Sequence, residues 1–272
     1  MRDAWFEDDF NESLDSAWRF VPSGSGLVRV ERSFAHLEIP RAERGTYHNA
    51  QIERLSPDGH RNVWRPPLRL QVRARMSRPV QPAHAVDALP GAYLAGTVGF
   101  GFWNEPLTLA GGWPRLPDAI WFFGASAPSD MRLVPGMPGR GWKAQLIHSH
   151  RWGAVGAGIE AARAIASTWI GGKEDEASRA IQRLTGAQES LVSLNAADWH
   201  TYVIEWHVDV VRHVVDDVLY QEARHPPQGP LLFLAWIDNQ FATVSPRGSI
   251  RFGTVPADSQ WMELDNISIV RL

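Results

Sequence analysis

From Leu68 to Met76 the side chains alternate without a break. Leu68, Leu70, Val72, Ala74 and Met76 fall on one side, and Arg69, Gln71, Arg73 and Arg75 on the other. A period of two marks a strand with one face buried and one solvated. The same period returns along most of the chain. Residues 27–30 and 35–39 are short alternating runs joined at a polar break, as in a hairpin. Thr97–Trp103 (TVGFGFW) sets Val98, Phe100 and Phe102 against Gly99, Gly101 and Trp103. Residues 119–126 (AIWFFGAS) and 231–237 (LLFLAWI) are apolar on both faces, which predicts central strands covered on both sides.

Residues 142–150 (WKAQLIHSH), 199–208, 210–215 and 262–270 complete the strand pattern, with a turn over 215–219 centred on Asp216 and Asp217. At least ten strands with short, turn-rich links predict an all-β fold, a two-sheet antiparallel sandwich. A chain of 272 residues fits one such domain, spanning 1–272. One stretch breaks the period. Ile159, Ala162, Ile165, Ala166, Trp169 and Ile170 recur at helical spacing, Gly171–Gly172 stops them, and 173–184 repeats the spacing from an acidic start. The expectation is an inserted helical hairpin within residues 154–190, packed outside the sandwich or serving as a lid or homo-oligomer contact.

Charge narrows the partners. With 27 basic and 30 acidic residues the net charge is −3, so a basic nucleic-acid surface is excluded and a membrane surface is not expected. The chain has no cysteine, which removes disulfides, thiolate metal sites and cysteine nucleophiles. Residues 1–10 (MRDAWFEDDF) are acidic where a secretory leader is apolar. The expected compartment is therefore the cytoplasm, or the extracellular space if a leader was removed. The stretch 154–170 carries Glu160 and Arg163 and is too short and too interrupted for a membrane helix. No phosphate-binding glycine loop, HExxH or GxSxG is present. The 13 tryptophans outnumber the 11 phenylalanines and 4 tyrosines. Tryptophan pairs a broad apolar face with a polar edge, which suits core packing and also sugar rings.

Residues 5–18 (WFEDDFNESLDSAW), 47–52 (YHNAQI), 199–206 (WHTYVIEW), 209–219 (DVVRHVVDDVL) and 264–270 (LDNISIV) occur in an order that resembles the concanavalin A-like jelly rolls, nearest the family 16 glycoside hydrolases (laminarinase- and lichenase-like). The resemblance implies a curved sandwich whose concave face holds an extended polysaccharide. It also implies a strand carrying Glu, Asp and Glu at alternate positions. The matching segment after Gly112–Pro114 reads PDAIWFFGAS: Asp118 is its only acid, and Ile120 and Phe122 or Phe123 stand in place of the others. Retaining hydrolysis needs two carboxyls about 5–5.5 Å apart, which a lone Asp does not supply.

Three readings follow. One is a carbohydrate-binding protein that lost the catalytic acids, with Trp103, Trp113, Trp121 and Trp236 stacking on an oligosaccharide and Asn104, His148, His150 and Asp238 hydrogen-bonding it. The second is an enzyme with a relocated site for a glycan or a small molecule. Its candidate acids are Asp118 and Glu105, with Asp130 and Asp238 as other carboxylates at loops and strand ends. The third is a non-catalytic scaffold. No organic cofactor is expected. The resemblance implies a structural calcium held by Asp265 and the backbone at Gly45; His148 and His150, two apart on one strand, lack an evident third ligand.

Overall fold

A computed structural model describes residues 4–11, 16–55, 60, 63–85, 91–104, 117–149, 185–244 and 250–272. Two large sheets face one another. The eight-stranded sheet runs β14 (Val218–Arg224), β13 (Val210–Val215), β12 (His200–Trp206), β6 (Leu68–Met76), β18 (Gln260–Arg271), β4 (Phe34–Ile39) and β3 (Leu27–Glu31), with β1 (Ala4–Asp8) also on β18. The seven-stranded sheet runs β11 (Gln188–Leu191), β10 (Gly141–His148), β8 (Asp118–Ala125), β7 (Thr97–Trp103), β15 (Leu232–Asp238), β5 (Asn49–Arg54) and β2 (Trp18–Phe20). Both are antiparallel throughout. A small third sheet joins β17 (Ile250–Thr254), β16 (Gln240–Val244) and β9 (Asp130–Met131), the last pair parallel.

The alternation of β6 is realised as read: its five apolar residues are buried between the sheets, while the arginines and Gln71 line the outer side. From the seven-stranded sheet Phe100, Phe102 and Phe122 point inward to meet Tyr202 and Trp206, and Phe233 packs on Phe102. Each such side chain, fully buried, contributes about 1.5–3 kcal/mol. Trp206 also donates its indole N–H to the Pro227 carbonyl at 3.0 Å, so its polar edge is satisfied. β8 and β15 are buried along their whole length, as their two-sided apolarity predicts.

Three boundaries differ from the sequence reading. Asp216 and Asp217 do form the turn, both at positive φ, but the turn ends there and Val218 opens β14. That strand was hidden because Val218 and Leu219 are apolar yet exposed at the sheet edge. β10 stops at His148 rather than running to His150, which lies outside the described residues. Gln188–Leu191 is a strand on β10, so the insertion cannot extend to residue 190; its expected helices over 158–184 lie outside the described residues. Among the described residues no helix is long and apolar enough to cross a membrane.

Candidate functional site

The register of the seven-stranded sheet fixes what lies on its outer face, away from the core. Paired residues on neighbouring strands share a face. One row reads Glu189, Gln145, Trp121, Gly101, Leu234, Glu53 and Arg19 across β11, β10, β8, β7, β15, β5 and β2. The next reads Leu191, Lys143, Phe123, Gly99, Trp236 and Gln51. Beyond it lie Thr97, Asp238 and Asn49, and on the opposite side Ala119 and Trp103.

Four rings cluster at the centre of this face. Trp121 lies 5.6 Å from Trp103, 5.5 Å from Phe123 and 5.3 Å from Trp236, measured between ring centroids. Gly99 and Gly101 make room for them. A Cβ on Gly99 would stand 2.4 Å from the Phe122 carbonyl oxygen and 2.7 Å from Trp236 Cη2, and one on Gly101 would stand 2.7 Å from Trp121 Cβ. Gly99→Ala is therefore expected to cost about 1–3 kcal/mol through overpacking. A lowered urea midpoint checks this, and an unchanged midpoint would mean the rings do not lie over β7. Met131, Leu133 and Val134 pack against the cluster, and Trp121, Phe123 and Trp236 are only 7%, 8% and 6% exposed. Trp103 is half-buried, with an indole N–H that no hydrogen bond satisfies.

A polar chain borders the rings. Trp121 donates its indole N–H to Gln145 Oε1, and Gln145 donates through Nε2 to Glu189 Oε1. Lys143 Nζ closes the set on Glu189 Oε2 at 2.9 Å, an ion pair almost wholly buried. Sequence reasoning missed these three residues. The spacing of Lys143 and Gln145 by two on an otherwise apolar strand was the available signal, and Glu189 was hidden in the supposed insertion.

Asp238 sits at the edge of the same face, on the parity of Leu234 and Trp236. Its Oδ1 accepts from Thr97 N at 3.1 Å, Thr97 Oγ1 at 2.8 Å and Gln240 N at 3.0 Å, and Oδ2 from the Tyr47 hydroxyl at 3.4 Å. Burial nonetheless outweighs these bonds and lifts its pKa to about 6. Tyr47, whose ring edge is open, has its hydroxyl held protonated by burial and by the neighbouring carboxylate. Thr97 also accepts the Trp236 indole N–H at 3.1 Å, tying Asp238 to the rings.

The other expected polar residues fall elsewhere. Asp118, Asn104 and His148 do come together. The Asp118 N–H donates to Asn104 Oδ1 at 3.0 Å, and His148 Nδ1 to Asp118 Oδ1 at 2.9 Å. An ionised carboxylate only accepts, so Nδ1 carries the proton. This trio has the parity of Ile120 and Phe122 and caps the end of the sandwich rather than lining the outer face. The face positions of β8 are thus Ala119, Trp121, Phe123 and Ala125, one residue out of step with the sequence comparison. Ile120 and Phe122 belong to the core. Asp130 pairs with Arg132 at 3.1 Å. Glu105, Trp113 and His150 lie outside the described residues.

The carboxylates on the outer face stand far apart. Glu53 is four residues along β5 from the position opposite Asp238, about 13 Å, and Glu189 is four strands from β15, about 19 Å. Neither spacing suits a retaining pair. Of the two residues that the resemblance puts on calcium, Asp265 is already charge-paired. Asp265, the bulge residue of β18, gives its carboxylate to the Arg73 guanidinium, while the Gly45 amide donates to Thr254 Oγ1 at 2.9 Å. Among the described residues no group of three His, Asp or Glu side chains forms a metal cluster.

Solved structures match over nearly the whole chain. An endo-acting O-glycanase of the human gut microbiota has a TM-score of 0.54 at 14% identity, covering 99% of this chain and 100% of that one. A β-glucanase of Bacillus licheniformis has a TM-score of 0.52 at 11% identity, covering 98% of each. The catalytic domain of an endo-1,3-β-glucanase (laminarinase) of Thermotoga petrophila has 0.51 at 11% identity, covering 99% and 98%. The fold is the glycanase jelly roll. No protein-family model matches the chain, and no curated protein matches it by sequence. Within this jelly roll, the outer face of β8 carries aromatic rings and no carboxylate.

Proposed function

We propose that the chain is a carbohydrate-binding protein on the glycanase jelly roll, one that does not hydrolyse glycans by a pair of acids on β8. One observation carries the reading: Trp121 and Phe123 occupy the face positions of β8 and are locked into a ring cluster. Because three of the rings are covered, sugar contact falls on the groups left open around them. Trp103 offers a half-buried ring, and Tyr47 and Gln51 supply polar contacts near Asp238. Trp121 and Trp236 support this edge from beneath.

The test is a titration of intrinsic fluorescence and heat with neutral β-glucan, galactan and xylan oligosaccharides, with reducing ends assayed alongside. Saturable binding without new reducing ends is expected. Trp103→Ala should weaken it several-fold, up to about tenfold, since stacking on one ring is worth about 0.5–1.5 kcal/mol. Silence across the panel, or a Trp103→Ala protein that binds like the parent, would overturn the proposal.

A second reading has one specific support. Asp238 is a carboxyl whose pKa of about 6 suits a general acid near neutral pH, and it stands on the face where glycan would lie. Appearance of reducing ends that Asp238→Asn abolishes would favour a relocated enzyme.

A further inference from the structure

A cavity of about 560 Å³ opens beside the ring cluster, between β9, the loop that follows it, and the residues around His84. Val134 lines the cavity and also packs on the rings, so the two sites share a wall. The cavity's chemistry differs from that of the face. Arg132, Arg140 and His84 line it, with Asp130 as the opposing charge. Arg132 gives its Nε to Asp130 at 3.1 Å, whereas Arg140 keeps only one bond, from Nη2 to the Ala85 carbonyl at 3.0 Å.

Two polar groups here are buried and unsatisfied. Arg140 Nε has no acceptor, and Ser129 Oγ, on a fully buried residue, has no partner at all. Buried donors are nearly always paired, and a guanidinium N–H is costly to leave bare. Arginine presents Nε and an Nη in a fork that matches a planar or tetrahedral oxyanion. A serine hydroxyl in the same lining adds a third donor. The volume is that of a small-ligand site.

We infer that this cavity receives the oxyanion of an acidic sugar, a carboxylate or a sulfate ester, carried on a glycan that lies along the neighbouring ring face. The inference rests on the carbohydrate reading and adds the substrate class: acidic rather than neutral glycans. The Arg140 guanidinium binds the oxyanion once its Nε, covered in the free protein, turns to the cavity, Ser129 donates from the wall, and Arg132 adds positive charge.

The experiment is calorimetry on the intact protein with three oligosaccharide sets of equal length: neutral, uronate-containing and sulfated. Arg140→Gln, Arg140→Lys and Ser129→Ala are compared after circular dichroism confirms the fold. Tighter binding of one acidic set than of the neutral set, on the order of tenfold, is expected, because a charge-assisted bond to a buried group is involved. Arg140→Gln should remove that preference and leave neutral binding as it was. Arg140→Lys should restore it only in part, because it keeps the charge without the fork. Which acidic set gains identifies carboxylate or sulfate. Equal affinity for neutral and acidic sets, or a preference that survives Arg140→Gln, overturns the inference and leaves the carbohydrate reading standing. No binding by any set overturns both.

Discussion

Asp238→Asn is expected to stabilise the protein at pH 7, by up to about 3 kcal/mol. The carboxyl titrates near 6 in the folded chain and at its ordinary value of 3.8 when unfolded, with burial as the main cause. Below 3.8 both states hold the proton and the group contributes nothing. Between 3.8 and 6 the folded state holds more protons, so stability falls as pH rises; above 6 the whole deficit is present. Two units correspond to about 3 kcal/mol. Asparagine mimics the neutral form. Its Oδ1 keeps the bonds from Thr97 and Gln240, and its amide donates toward the Tyr47 oxygen. For a domain of this size the gain corresponds to several degrees in Tm. At pH 4 the variant should match the parent. A variant no more stable at pH 7 would show that the three donors to Oδ1 satisfy the charge. A carboxylate retained against such a cost, on the ring face, is what a working group looks like.

How far the sequence reached can be argued from particular strands. β6, β7, β8 and β15 were readable because their alternation, or their two-sided apolarity, records burial on one face or both. β14 was not, since an edge strand tolerates exposed Val218 and Leu219 while hiding Gln221 inside. The site was harder. The match to the family's acidic strand set Asp118 at a groove position, whereas along β8 it shares the parity of the core residues Ile120 and Phe122. Asp238 was named from its place at the end of a central strand, yet its raised pKa depends on Thr97, Tyr47 and Gln240, brought together only by pairing of β15 with β5 and β7 and by the turn into β16. The Arg140 and Ser129 cavity left no mark in the sequence, since its wall is a loop with no period.

The second large effect opposes the first. His213 lies on β13 among Val211 and Val215, fully buried with the edge of its ring against Phe122 at 5.2 Å. Neither ring nitrogen makes a hydrogen bond of ordinary geometry, and burial drives its pKa from 6.5 to about 3, eased slightly by the Trp121 backbone. Between 3 and 6.5 the unfolded chain therefore binds the extra proton, and stability is lost as pH falls. From pH 7 to pH 4 the loss is about 3 kcal/mol. Over the same interval Asp238 returns about as much, so between roughly pH 4 and 6 the two cancel in the parent. His213→Leu removes one side of the balance and two unsatisfied nitrogens with it. It should gain about 1–2 kcal/mol at pH 7, and a further 3 kcal/mol or so over the parent by pH 4. Asp238→Asn should instead lose its advantage on acidification, and the double variant should track the parent's slope. Urea midpoints of the four proteins at pH 7, 5.5 and 4 read this directly, because the background of other titrating groups is common to all four. Four parallel curves would mean that neither group changes its protonation on folding.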